Sequence, residues 1–173
     1  MKVTMLMAQT VDGKIARNAN HFPDWTGKED KRLFMRMSKA AGVVIMGRKT
    51  YATINRSLPG RLNVIMTRNE DLVSENENLL YTSQRPDEIL TTLAERGYRE
   101  VVLAGGAAIN TLFARQNLID EIAVTISPLI FGSGLSLFSE SLDTMALQLK
   151  ETELITPDIL FMRYQVMPPS DSE

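Results

Sequence analysis

Apolar positions along the chain follow two rhythms. Short apolar runs occupy residues 2–9, 42–46, 62–67, 79–82, 100–104 and 121–127, and read as buried or half-buried strands. Between them the spacing changes to that of a helix. Leu33, Phe34, Met37 and Ala41 recur at helical intervals after Thr26, which is placed to cap a helix running to about Ala40, with Glu29 completing a capping box. A short helix starts at Gly47, Pro86 opens another that Gly97 ends, and Gly105 and Gly106 lead into a last one reaching about Gln116. Residues 147–155 and 159–167 form a hairpin around Thr156, Pro157 and Asp158. The order β–α–β–α–β–β–α–β–α–β plus a closing hairpin predicts an α/β fold. Its central sheet is mostly parallel, with helices on both faces and an antiparallel C-terminal edge. One domain is expected over residues 1–167, with a flexible tail at 168–173.

Composition narrows the function more than the fold. Apolar residues make up 44% of the 173 and charged residues 23%, an ordinary globular balance. A net charge of −2 argues against a nucleic-acid partner. No apolar run approaches the ~20 residues that span a bilayer, so no membrane association is expected. The N-terminus reads as a strand without a cleavage site, which speaks against a signal peptide. Zero cysteines fit a cytoplasmic protein and exclude thiolate nucleophiles and Cys-ligated metals. His21 is the sole histidine, so multi-histidine metal sites are excluded, and its polar loop reads as a solvated position. With so few nucleophiles and bases, the chemistry falls to a cofactor.

Candidate ligand positions sit where strands end. Gly47, Arg48, Lys49 and Thr50 open a helix with free N–H groups and two cationic side chains, which suits a phosphate. The next strand ends on Thr67 and Arg68, a second anion-binding pair, so a ligand with several phosphates is indicated. Gly105 and Gly106 end a buried strand at a helix start. They serve either close approach of a ligand or tight strand–helix packing, and they lack GxGxxG spacing. Asp30 is either a plain helix-start carboxylate or a lone acid in an apolar pocket with Leu6, Phe34 and Ile54. In the second case its pKa is raised, and it selects a ligand with an N–H pair. Trp25 lies on a loop that can cover such a pocket.

Taken together, these motifs resemble the dihydrofolate reductases, especially the bacterial thermophilic-type branch, and the riboflavin-biosynthesis reductase domain that shares their fold. The likeness runs from about Val3 to Val166. It rests on Met46-Gly47-Arg48-Lys49-Thr50-Tyr51, then Ile54, then Leu58-Pro59-Gly60-Arg61-Leu62-Asn63-Val64-Ile65-Met66-Thr67-Arg68, and on the Gly105-Gly106 pair. The resemblance implies an NADPH-dependent oxidoreductase. In it, Asp30 binds the pterin, Thr125 hydrogen-bonds to Asp30, and Trp25 belongs to the mobile loop over the active site. Leu6, Phe34 and Ile54 enclose the substrate rings, and Arg61 clamps the carboxylate of the glutamate tail. Arg48, Lys49, Thr50, Thr67 and Arg68 surround the NADPH phosphates, with Gly105 and Gly106 at the pyrophosphate, often through a cis peptide. Ala8, Ile15, Gly47, Ala107, Ala108 and Ile109 complete the cofactor site.

Parts of the chain depart from that pattern. Asn110 stands where many dihydrofolate reductases have a tyrosine. The stretches 12–16, 105–110, 118–122 and 127–138 read more like the riboflavin reductase domain. The leading expectation is reduction of 7,8-dihydrofolate to tetrahydrofolate. The alternatives are reduction of 5-amino-6-(5-phosphoribosylamino)uracil, action on a related pteridine, and a non-catalytic nucleotide-binding module. In the expected mechanism the loop at 13–24 closes to exclude solvent. The apolar run at 127–138, with Leu129, Ile130, Phe131, Leu135, Leu137 and Phe138, points to a covered surface, and the resembling enzymes pair as homodimers.

Overall fold

A computed structural model describes residues 1–74 and 76–168. Its elements follow the order read from the sequence: β1 (Lys2–Thr10), α1 (Gly27–Ala41), β2 (Val43–Gly47), α2 (Arg48–Ile54), β3 (Leu62–Met66), β4 (Leu79–Thr82), α3 (Pro86–Glu95), β5 (Glu100–Leu103), α4 (Ala107–Arg115), β6 (Glu121–Ser127), β7 (Leu147–Thr156) and β8 (Ile159–Val166). The strands form one 8-stranded sheet in the order β4-β3-β2-β5-β1-β6-β8-β7. Pairing is parallel from β4 to β6 and antiparallel at β8 and β7. Of the tail expected at 168–173, residues 169–173 lie outside the described residues.

Alternation along the strands assigns a core to each face of the sheet. Val3 and Met5 of β1, Val43 and Ile45 of β2, and Val101 and Leu103 of β5 pack with Ile89 and Leu93 of α3 and Phe113 of α4. Their neighbours Leu6, Val44, Met46 and Val102 pack on the other face with Leu33 and Phe34 of α1 and Ile54 of α2. Both faces of the central strands are buried, which is why these strands read as unbroken apolar runs. No described helix is long and apolar enough to cross a membrane.

Two local expectations are corrected. Thr26 does not cap α1: its backbone is helical (φ −78°, ψ −14°) and its side chain makes no capping bond. Its hydroxyl turns to Asp30 instead, while Glu29 is held by Arg32 Nη1 at 2.6 Å rather than closing a capping box. The apolar run at 127–138 is not uniformly exposed. Leu137 and Phe138 pack on the α3–α4 core, whereas Leu129, Ile130 and Leu135 stay exposed.

The same run holds the start of the loop after β1. Val11 N–H donates to Leu129 O at 2.9 Å, Ile15 N–H to Leu135 O at 2.8 Å, and Leu135 N–H to Ala16 O at 2.8 Å. Asp12 accepts the Thr10 hydroxyl at 2.5 Å and the amides of Phe131 and Gly132 at 3.1 and 2.8 Å. These donors, the Thr10 hydroxyl foremost, hold its carboxyl below the usual range. Residues 11–16 are therefore stapled to this run, and Arg17 and His21 also pack on Phe131.

Candidate active site

A cleft of about 1660 Å³ opens at the C-terminal ends of β1, β2, β3 and β5, where parallel sheets carry their ligands. Two groups of predicted residues meet in it. Leu6, Trp25, Asp30, Phe34 and Ile54, expected at the substrate, line it together with Ala8, Ile15, Gly47, Arg48, Lys49, Thr50, Thr67, Arg68, Gly106, Ala107, Ala108 and Ile109, expected at the cofactor; Gly105 is not in the lining.

Asp30 lies on the first turn of α1, one turn before Phe34. Burial pushes its carboxyl above the ordinary value, and the hydroxyls of Thr125 and Thr26 and the charge of Lys31 oppose that rise. Thr125, in the middle of β6, is fully buried and does not line the cleft. Its Oγ1 donates to Asp30 Oδ1 at 2.5 Å, and the Thr26 hydroxyl also bonds the carboxylate. Trp25 lines the cleft, its ring meets Phe131 edge-on at 5.2 Å, and its Nε1 is buried without a hydrogen-bond partner.

The glycine positions are shaped by close approach. The Gly105–Gly106 peptide is cis, and Gly105 has φ +80°. Gly47 N–H donates to Gly105 O at 2.8 Å, which joins the start of α2 to the start of α4. A Cβ on Gly47 would lie 2.9 Å from Ile109 Cγ1, and one on Gly106 would lie 3.3 Å from Thr50 Oγ1. Bare backbone beside Arg48 and Lys49 fits the diphosphate of a dinucleotide. Arg48, Lys49, Thr50, Thr67 and Arg68 would hold its phosphates.

Arg61 is placed differently from the expectation. It is 3% exposed and absent from the cleft lining. Its Nε and Nη2 donate to Pro59 O at 3.2 and 3.0 Å, and Nη2 also meets Met35 Sδ at 3.7 Å. Nη1 donates to Met35 O at 3.3 Å and to the Ser38 hydroxyl. These five contacts match the five N–H groups of a guanidinium, so none is left for a substrate carboxylate. Arg61 ties the loop before β3 to the middle of α1.

Other residues were missed. Lys31 and Met35 line the cleft one position round α1 from Asp30 and Phe34, a second helical stripe that the spacing already carried. Arg56 and Leu58 follow α2, and Ser83, Gln84 and Arg85 precede α3 at the far end. His21 is a half-buried loop residue that also lines the cleft: its Nδ1 accepts Arg17 N–H at 3.0 Å, and its ring packs on Phe131. Asn110 is fully buried outside the lining, where its Nδ2 donates to Leu137 O at 2.8 Å. Among the described residues, the lining holds Lys31, Arg48, Lys49, Arg56, Arg68 and Arg85 against a single carboxylate, Asp30.

Comparison with known proteins narrows the class. The RibD C-terminal domain family matches residues 1–161. Riboflavin biosynthesis protein RibD of Corynebacterium ammoniagenes is 29% identical over 158 residues, covering 81% of this chain and 47% of that protein. Dihydrofolate reductase of Lactococcus lactis is 40% identical over 72 residues, covering 41% of this chain and 42% of that protein. Each match thus spans about half the length of the relative. RibD of Acinetobacter baumannii superposes with a TM-score of 0.86 at 17% identity, over 96% of this chain and 58% of that one, a likeness of fold. Its match over residues 1–161 places this chain in the RibD C-terminal domain family, within the oxidoreductases of dihydrofolate reductase-like fold.

Proposed function

We propose that this chain reduces a phosphoribosylamino-pyrimidinone of the riboflavin pathway with NADPH. The observation that carries this reading is the burial of Arg61. A glutamate-tailed substrate needs a bidentate cation at that position, and all five donors of Arg61 are engaged within the protein. The match of residues 1–161 to the RibD C-terminal domain family supports it.

Bound NADPH would supply a hydride, delivered in this reading to the sugar carbon C1′ of the open-chain imine. Asp30 would hold an N–H pair of the ring, with the hydroxyls of Thr125 and Thr26 fixing the carboxylate. Phe34 and Ile54 enclose the ring, Leu6 forms the floor, and Trp25 Nε1 supplies a donor. Residues 17–24 exclude water, and the proton that completes the amine arrives through solvent at the cleft mouth.

A second reading, dihydrofolate reduction, is favoured by Asp30 and Thr125 together, since a pterin also offers an N–H pair. Following NADPH oxidation with each substrate in parallel decides between them. Turnover of the pyrimidinone alone supports the first reading; rapid turnover of dihydrofolate alone overturns it.

We also propose that the chain pairs as a homodimer. Leu147 and Leu149 oppose Val166 and Tyr164, and after a register shift at Lys150, Leu154 opposes Leu160. The bulge puts all three leucines on one face, and they are 43%, 53% and 67% exposed. An edge strand with that face uncovered suits a second copy.

A further inference from the structure

We propose that Phe131, which lies outside the cleft lining, is a positioning residue that holds the cleft wall leading to Asp30. It acts through Arg17, His21 and Trp25.

Leu129 and Ile130 are exposed, whereas Phe131 beside them is half-buried. Its ring meets three residues of the loop after β1. The Arg17 guanidinium carbon stands 4.2 Å from the ring centroid, the tilted His21 ring 5.5 Å and the edge-on Trp25 ring 5.2 Å. Such cation–π and aromatic contacts attract beyond the area they bury. His21 and Trp25 line the cleft, while Arg17 and Phe131 do not.

Hydrogen bonds do not fasten this stretch to the rest of the chain. Among the described residues, those of residues 17–24 stay within it. Arg17 N–H donates to His21 Nδ1 at 3.0 Å, His21 N–H to Asn18 O at 3.2 Å, Asn20 N–H to Asn18 Oδ1 at 3.0 Å and Asp24 N–H to Phe22 O at 2.9 Å. Trp25 Nε1 has no partner either. The stretch is held by side-chain packing, and three of its ring contacts share Phe131; a fourth sets Lys31 Nζ 5.7 Å from the Phe22 ring.

Phe131 itself is fixed from β1. Its N–H donates to Asp12 Oδ1, and Asp12 accepts the hydroxyl of Thr10, fully buried at the end of that strand. A Cβ on Gly134 would lie 2.3 Å from Ala16 O, so the run approaches the loop this closely only with glycine there. At its other end the held stretch reaches the site. Trp25 is followed by Thr26, whose hydroxyl bonds the Asp30 carboxylate. A shift of Trp25 is passed within one residue to a donor of Asp30, and a small misplacement of a group that orients a substrate lowers the rate.

Trp25 is the sole tryptophan, so the fluorescence of the protein reads its surroundings directly. The proteins compared are wild type, Phe131→Leu, Phe131→Tyr as the conservative variant that keeps the ring, and Ile130→Ala as a control at the exposed neighbour. In Phe131→Leu, acrylamide should quench Trp25 more strongly, and kcat/KM per folded molecule should fall roughly tenfold, the scale of two aromatic contacts. The Kd for NADPH, expected at α2 and α4, should stay at the wild-type value. Phe131→Tyr and Ile130→Ala should match wild type in all three. Turnover is read with whichever of the pyrimidinone and dihydrofolate wild type reduces, so the proposal stands apart from the choice of substrate. Unchanged quenching in Phe131→Leu overturns it, with or without turnover. Stronger quenching with wild-type kcat/KM per folded molecule also overturns it, because the contact would then serve the fold alone. So does a Phe131→Leu protein that loses NADPH affinity as much as turnover, the mark of general loosening.

Discussion

Thr125 Oγ1 donates to Asp30 Oδ1 across 2.5 Å, joining the middle of β6 to the first turn of α1. The bond favours the charged carboxylate in a place where burial disfavours it. Asp30 must be charged to accept an N–H pair, so substrate-analogue affinity should fall as pH drops through its raised pKa. In Thr125→Val one stabilising donor is gone, the pKa rises further, and the fall should begin at a higher pH. Dissociation constants measured against pH in both proteins check this; superimposable curves would remove Thr125 from the site.

Replacing Asp30 separates function from stability. Asp30→Asn should lower kcat/KM by roughly 10²-fold, the scale of a positioned acid–base group. Because the folded-state pKa is raised, the native protein holds its proton more tightly than the unfolded chain does. Asp30 therefore costs stability once pH rises above the unfolded value, and the cost is complete above the folded one. The variant should melt higher than wild type at neutral pH and show no such advantage in acid below both values. Thermal melts at the two pH values read this directly.

Arg61→Ala should act as a folding variant rather than a binding one. It leaves the carbonyls of Met35 and Pro59 and the Ser38 hydroxyl without their donors, a loss of roughly 3 kcal/mol. Arg61→Lys should recover little, since an ammonium has three donors and no fork. Denaturant midpoints should drop in both while KM per folded molecule stays close to wild type. A large rise in KM without loss of stability would return Arg61 to the substrate.

At the cofactor end, Arg68→Ala should weaken NADPH by about tenfold and NADH far less, because only NADPH carries a 2′-phosphate and a charge-assisted bond is worth about that much. Fluorescence titrations with both nucleotides test it. Equal losses would assign Arg68 to the shared diphosphate.

If the chain pairs through β7 as proposed, Leu149→Glu with Leu154→Glu should yield a monomer without unfolding it, since both side chains are exposed in the single chain. Light scattering and circular dichroism distinguish dissociation from unfolding, and an unchanged mass would rule out this face.

Element order was legible because period and punctuation are local. Pro86, Gly97 and the apolar runs need no distant partner to be read. Arg61 was not legible in the same way. The same Leu-Pro-Gly-Arg string suits a guanidinium turned to the cleft or to α1, and the choice lies with Met35 and Ser38, more than twenty residues away. The exposed face of β7 was hidden because the shift at Lys150 puts Leu149 and Leu154 out of simple alternation. Asp30 as a pocket acid was readable as an alternative, while its partner Thr125, 95 residues on, came only through family resemblance.

The cation-lined cleft has a kinetic consequence. The chain carries a net charge of −2, yet six lysines and arginines line the cleft against one aspartate. Arg85 is paired with Asp87 at 3.2 Å, and the other five give a molecule of net negative charge a cation-rich opening. Such a molecule turns anionic ligands toward the opening before contact and repels them from the rest of its surface, so capture rates should fall steeply with ionic strength. The same field retards the departure of any product that keeps its phosphate, which places release, rather than the hydride step, where added salt would speed turnover.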